Sequence, residues 1–490
     1  MKINFLKFDG INLLKLEIFG SFIILSVLFC SQLYYNFYKP IDFIIIVSFF
    51  ISYYFLSFLE TKYNNIFLRL LNLFFIIFFL MRMSFLPFEN VNYSSIFFHN
   101  KLANDPFLIK YIVKVYNYAN LDSVSKYLII LNFHYISLGA CLLIFRPKKV
   151  DFNLEYVKRN YIYIILSIIT FQMLLILIYY SFFPISNTPE KNIALLKIFF
   201  HIFNLDKIYV ILTFLLLLVF NLNYKKKDQY LVVFLLIISI LFAVIYFFSK
   251  SSILEASLYI SLFYFLIDRK FFIKKNFIKF IVLYLILFFL LFIIAKFYRV
   301  IWYRGFNIDS FINHLNTIPL VLFTIFERIG FFDYYMFIVS NEETLKNLFV
   351  YDRYLKIIID KTTPFFDLFN TMLLSRELHA IFHGINHQVL QSYQITLFAE
   401  IHLLFGYYFI IFYIIFALIL KFTFDYLNNI KINNNLKIIL IFFVIKSYFF
   451  YLIGYGMDTL IINVIYDSVF IISVLIGFKF LNYFYKKYVG

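Results

Sequence analysis

The chain has 490 residues, of which 63% are hydrophobic, 24% aromatic and only 14% charged, and its mean hydropathy is +0.87. Soluble domains carry roughly 25% charged residues, so a chain this poor in charge reads as a multi-spanning α-helical membrane protein. Few glycines and prolines and only two cysteines, Cys30 and Cys141, exclude a collagen-like repeat, a disordered chain and a disulfide scaffold together.

A hydrocarbon core of about 30 Å takes about 20 helical residues. Apolar runs of that length predict about twelve spans, near residues 17–35, 41–59, 66–86, 127–145, 160–182, 207–222, 230–248, 252–267, 277–295, 395–420, 438–455 and 459–481. The first follows Lys2, Lys7 and Lys15, is longer than a signal-peptide core and lacks a clear small-residue cleavage site, so it is expected to remain uncleaved. No internal repeat or Gly/Ser linker divides the chain, which makes 1–490 a single polytopic domain.

The net charge of +17 comes in short clusters between the apolar runs. Arg146, Lys148, Lys149, Lys158 and Arg159 share one connection, Lys225 to Lys227 a second, and Arg269, Lys270, Lys274 and Lys275 a third; all three fall on one side of the predicted spans. The N-terminal lysines, Lys62, Lys431, Lys437, Lys486 and Lys487 fall there too. The positive-inside rule assigns that side to the cytoplasm, with both termini, and accounts for the charge without nucleic acid. Arg69 and Arg82, flanking the third span, are expected to snorkel to its ends.

The opposite face receives residues 87–126, 183–206 and 296–394. The last is a large extracytoplasmic loop between the ninth and tenth spans, polar overall yet rich in Phe, Leu, Ile and Tyr, and expected to fold as short amphipathic helices on the membrane face. Its basic residues are led by Arg299, Arg304, Arg328, Arg353 and Arg376. A guanidinium fork matches phosphate or carboxylate oxygens in two-point contact, which points to an anionic lipid-linked ligand. The alternative is that these arginines pair with nearby acids such as Glu327, Asp333 and Glu342. Lys250, between Ser249 and Ser251 in a short outer connection, reads as a pyrophosphate contact or as a lysine reaching headgroups.

His379, His383 and His387 are spaced by four, but Gly384 interrupts a helix there and neither cysteine nor an HExxH pattern accompanies them, so no metal is expected. His387, just before the tenth span, reads as a general base for a hydroxyl nucleophile, or as an interfacial histidine bonded to backbone. Glu400, with His402 two residues on, lies inside the tenth span. A charge in hydrocarbon costs about 2.5 kcal/mol or more, so this carboxylate should face protein, as a catalytic or orienting acid or as the partner of an outer arginine. Glu255, in the eighth span, invites the same reading. No Walker loop, CxxC pair or GxSxG elbow is present.

Ser249-Lys250-Ser251 after the seventh span, Arg299 and Arg304 opening the large loop, Glu327-Arg328 with Phe331-Phe332-Asp333, and His387-Gln388 leading to Thr396, Glu400 and Gly406 form one series over residues 230–420. In this series, and in its large outer loop, the chain resembles the O-antigen polymerase (Wzy-type) family of oligosaccharide repeat-unit polymerases. Lys250 stands where that family often has arginine. The resemblance implies a glycosyltransferase acting on undecaprenyl-diphosphate-linked oligosaccharides in the bacterial cytoplasmic (inner) membrane, with no cofactor. It further implies that His387 or Glu400 takes a proton while Lys250, Arg299, Arg304, Arg328 and Arg376 hold diphosphate or glycan. A chain-length regulator and a flippase would be its partners. A lipid-linked oligosaccharide flippase, an O-antigen ligase and a structural membrane protein are the competing readings.

Overall fold

The computed structural model describes residues 9–35, 38–84, 86, 124–147, 154–182, 205–222, 224–247, 331–362, 369, 371, 373–383, 395–430, 433–452 and 456–488. Among these the chain is all-α, without a β-strand. Five helices are long and apolar enough to cross a membrane: Pro40–Tyr63, Ile66–Ser84, Val124–Ile144, Leu397–Asn429 and Gly456–Gly477. In chain order the helices are α1 (Asp9–Tyr35), α2 (Pro40–Tyr63), α3 (Ile66–Phe75), α4 (Val124–Ile144), α5 (Arg159–Phe182), α6 (Leu205–Asn221) and α7 (Lys226–Phe247). Then follow α8 (Phe331–Ser340), α9 (Glu342–Leu345), α10 (Tyr351–Thr362), α11 (Leu374–His383), α12 (Leu397–Phe405), α13 (Phe409–Asn429), α14 (Asn434–Leu452) and α15 (Gly456–Tyr488). Within the described residues, the predicted spans from 17–35 to 230–248, and from 395–420 to 459–481, are helical over most of their length. The predicted spans 252–267 and 277–295 lie outside the described residues, as do Glu255 and the outer segments apart from residues 124–126, 205–206 and the parts of 296–394 named below.

The first hairpin shows how local chemistry sets the fold. Lys39 is extended, Pro40 opens α2 with its fixed φ, and Asn64 ends it in the left-handed region at φ 51°, its N–H returning to Glu60 O. Asn65 then caps α3: its Oδ1 accepts from Phe67 N and Leu68 N, and its Nδ2 donates to Leu142 O on α4 at 2.7 Å. Gly139 lets α4 approach α2 closely, since a Cβ there would sit 2.7 Å from Leu56 Cδ1. Across the same seam Phe75 stacks on Tyr135 with centroids 3.8 Å apart, and Tyr135 Oη donates to Asn72 Oδ1 at 2.8 Å. α3 continues through a π-helical turn, Ile76–Leu80, that is almost wholly buried.

Arg69 and Arg82 do not snorkel. Arg69 is 3% and Arg82 1% exposed, and Arg69 forms an ion pair with Glu60, itself 1% exposed. The hairpin folds the end of α2 over the start of α3, so the guanidinium finds its counter-charge inside the protein before it can reach the interface.

The outward faces show what solvent the bundle is made for. On α13 the exposed residues Ile411, Ile415, Ile419, Phe422 and Tyr426 line one side, while Tyr413, Ala417, Leu420, Phe424 and Leu427 are buried on the other. An apolar stripe of that length exposed on the outside of a helix belongs against lipid rather than water.

Within 296–394 the described helices are of two kinds. α10 is amphipathic, burying Tyr354, Ile357 and Asp360 while exposing Tyr351, Asp352 and Leu355, as expected of a surface helix. α8 is not a surface helix: residues from Tyr334 to Val339 are buried without interruption, and it packs between α12, α4 and the π-helical turn. Apart from Asp333 and Ser340 its sequence is apolar or aromatic, which suits a helix enclosed by its neighbours.

Candidate functional site

Four elements converge around the first turn of α15. Gly456 opens that helix at φ +85°, and a Cβ on it would lie 2.7 Å from Asp458 Oδ1, 3.1 Å from Ile395 Cδ1 and 3.6 Å from Glu400 Oε1. Both the left-handed backbone and the crowding require glycine. Around it stand two carboxylates, Glu400 and Asp458, each 0% exposed.

Glu400 sits in the first turn of α12, a helix capped by Thr396 Oγ1, which accepts from Ala399 N. Its Oε1 accepts from Tyr354 Oη of α10 at 2.6 Å and from Met457 N at 2.9 Å, and its Oε2 lies 3.0 Å from the same amide. Asp458 accepts from Thr459 N at 2.6 Å and from Leu374 N, at the start of α11, at 3.2 Å. Unpaired amides of a helix N-terminus favour negative charge, so the start of α15 receives both carboxylates for a physical reason.

The loop helices are tied down by the same kind of bond. Arg353 of α10 pairs with Glu377 of α11, and burial pulls the guanidinium below its ordinary value. Asp360 closes the turn after α10 by accepting from Phe369 N, Thr371 N and Thr371 Oγ1 at 2.6–2.8 Å. Burial alone would raise its carboxyl, but the bonds from Thr371 and Phe369 outweigh it and hold the group below the usual carboxylate range. Tyr466 of α15 donates to Lys361 O at the far end of α10.

Of the residues singled out in the sequence, Glu400 is placed as expected, facing protein. Its partners are a tyrosine and a backbone amide rather than an arginine, and both of its oxygens are bonded. Of Arg376, as of His379 and His383, the described part is the backbone on α11, the helix held by Asp458 and Glu377. Lys250, Arg299, Arg304, Arg328 and His387 lie outside the described residues. Among the described residues no group of three or more His, Cys, Asp or Glu is arranged to hold a metal.

A second charged cluster escaped the sequence reading. In the middle of α14, Lys446 Nζ is 3.1 Å from both oxygens of Asp467 on α15, and Lys207 Nζ at the start of α6 is 3.6 Å from Asp467 Oδ1. Exposures are 0%, 3% and 2%. The available signal was two lone opposite charges deep in consecutive apolar runs, Lys446 and Asp467, a pattern that asks for pairing. His134, midway along α4 and 0% exposed, was missed likewise.

Compared with protein-family models, curated proteins and solved structures, the chain matches none.

Proposed function

We propose that the chain joins undecaprenyl-diphosphate-linked oligosaccharide repeat units into a surface polysaccharide, O-antigen or capsule, on the extracytoplasmic face of the bacterial inner membrane, with both termini cytoplasmic. The observation that carries the reading is the double anchorage of Glu400. By bonding Tyr354 and Met457 N it fastens the loop helix α10 to the bundle, beside the helix that bears Arg376. A reaction between two large lipid-linked glycans needs such a fixed platform at the membrane face, because most of its acceleration comes from orientation and charge placement.

In this reading an acceptor sugar hydroxyl attacks the anomeric carbon of the donor, and the bond from that carbon to the lipid diphosphate breaks. His387 takes the hydroxyl proton, while Glu400 holds the surrounding helices in register. Lys250, Arg299, Arg304, Arg328 and Arg376 neutralise the charge that gathers on the departing diphosphate. The reaction uses no metal, nucleotide sugar or other cofactor; a chain-length regulator and a flippase are the proposed partners.

One observation favours a second reading, a lipid-linked oligosaccharide flippase. A transporter places charge inside the bundle, and Lys207, Lys446 and Asp467 meet there on three helices. An O-antigen ligase would use the same outer site with a different acceptor.

The test is deletion of the gene in its host, with surface glycan and lipid-linked intermediates sized together. Single-repeat glycan, extended to a ladder by the wild type but not by Arg299→Ala or Arg328→Ala, supports the polymerase. Repeat units trapped on the cytoplasmic leaflet support the flippase, and polymer retained on its lipid carrier supports the ligase. Unchanged glycan refutes all three.

A further inference from the structure

A row of polar side chains runs inward from the end of the bundle that carries α8 to α11, apart from the site around Gly456. Glu342, opening α9, has a side chain 41% exposed, and its Oε2 lies 3.6 Å from His402 Nε2 on α12. His402 is 6% exposed, and its other ring nitrogen, Nδ1, is buried with no hydrogen-bond partner among the described residues. The ring of His134 on α4 stands 5.7 Å away, centroid to centroid and inclined at 80°. His134 has the complementary pattern: Nδ1 is 2.7 Å from Tyr413 Oη on α13, and the buried Nε2 has no partner among the described residues. Phe409 and Phe398 pack on the His134 ring.

Each imidazole therefore has one nitrogen engaged and one unanswered, in a place closed to bulk solvent. Leaving a buried nitrogen unsatisfied is costly, and these two have adjacent rings. One water bonded to both nitrogens answers them together at small entropic cost. Carboxyl, imidazole, water, imidazole and phenol are all groups that both accept and release a proton.

We propose that Glu342, His402, His134 and Tyr413 form a proton relay between the loop end of the bundle and its interior, through one water held between the two imidazoles. A proton arriving at Glu342 passes to His402 Nε2, and His402 releases its Nδ1 proton to the water. The water gives one of its own protons to His134 Nε2, and the imidazolium so formed keeps its Nδ1–H on Tyr413 Oη. His402 gains a proton on one nitrogen and loses one from the other, so its charge is restored and only its tautomer changes, while His134 holds the transferred proton and returns it by the same path; no electron moves. Other groups facing this row set its electrostatics. Lys126 of α4 faces His402, while Tyr335 of α8, Cys141 of α4 and Tyr448 of α14 face Tyr413. The relay is independent of the glycan chemistry proposed above, and transport and catalysis could each draw on it.

The test follows the His134 imidazole N–H in full-length protein labelled with 15N-histidine, placed in lipid nanodiscs and moved into D2O. The wild type is expected to exchange at His134 while backbone amides of α4 stay protected. His402→Phe is expected to slow His134 exchange by about tenfold or more, since exchange then needs local opening of the bundle. Glu342→Gln, at an exposed position that leaves the fold alone, is expected to slow it several-fold. A His134 rate unchanged in Glu342→Gln overturns the relay even if His402→Phe does not fold. Equally, a wild-type His134 that exchanges no faster than its neighbouring amides, or 15N shifts that report a metal ion between the rings, overturns it.

Discussion

Tyr354→Phe isolates the bond that fastens the loop helix α10 to the bundle. The substitution removes one oxygen and leaves the ring, which is 5% exposed, to fill the same space, so packing changes little. What is lost is a 2.6 Å hydrogen bond from the phenol to Glu400 Oε1. A hydrogen bond between uncharged groups contributes about 0.5–1.5 kcal/mol, and each 1.4 kcal/mol or so is tenfold in an equilibrium constant. The docked state of α10 should therefore fall by about twofold to about tenfold relative to the undocked one. Amide hydrogen exchange in nanodiscs reads this directly: protection at residues 351–362 drops by that factor, while protection on α4 is unchanged. Combining Tyr354→Phe with Glu400→Ala should add less than the sum of the two, because both remove the same contact. Full protection of α10 in Tyr354→Phe, or additive effects, would refute the assignment of Glu400 as the anchor.

Three further outcomes are expected. Asp360 is held below the usual carboxylate range, so its bonds contribute fully above an ordinary aspartate value of about 3.9 and are lost as pH falls through its lower folded value; hydrogen-exchange protection of the Phe369 and Thr371 amides, corrected for the intrinsic pH dependence of exchange, should persist below about pH 3.9 and fall only in stronger acid, and Asp360→Asn should remove that pH dependence. Asp467→Asn leaves Lys446 and Lys207 facing an amide and should destabilise the detergent-solubilised protein by about 3–5 kcal/mol, whereas Asp467→Leu combined with Lys446→Met and Lys207→Met should restore most of it in a thermal unfolding scan. Gly456→Ala forces φ +85° and a 2.7 Å contact on an L-residue, at a cost of about 1–3 kcal/mol; a melting temperature equal to wild type would show that the turn relaxes freely.

The spans were legible because a long apolar run has few other fates, and helix follows from the need to satisfy backbone groups without water. Their ends were less so. The tenth predicted span ends at residue 420, just before Lys421 and Asp425, yet α13 continues to Asn429. A helix is held by its own backbone bonds and does not end where lipid does. It also breaks where composition gives little warning: Gly406, at φ +53°, separates α12 from α13. Glu400 was legible as a carboxylate that must face protein, since its surroundings in sequence are apolar. Its partners were not, because Tyr354 and the amide of Met457 lie 46 and 57 residues away and carry no mark that distinguishes them from other tyrosines or other amides. Arg69 failed for the same reason in reverse. Its partner Glu60 was near in sequence, but snorkelling and pairing are both open to a terminal arginine, and only the packing of the hairpin decides between them.

The buried polar contacts divide by where they sit, and the division bears on function. Glu60 with Arg69, and Arg159 with Asp228, lie at helix termini; pairs of this kind fix how a helix enters the bundle and would be needed by any membrane protein of this layout. The contacts of Glu400, Asp458, Asp467, His402 and Tyr413 are different. Each joins α12, α13 or α15 to an element far away in the sequence, and each puts a polar group inside a body whose outer surface is apolar. Such placement is costly, because truncating either partner strands the other, and apolar side chains of equal volume would fill the same space with less risk to folding. A bundle that needed only to hold together would not concentrate this cost on its C-terminal helices. The chemistry of the protein is therefore to be sought along α12 to α15 and the loop helices they anchor, and the glycan, exchange and stability experiments separate what each cluster does there.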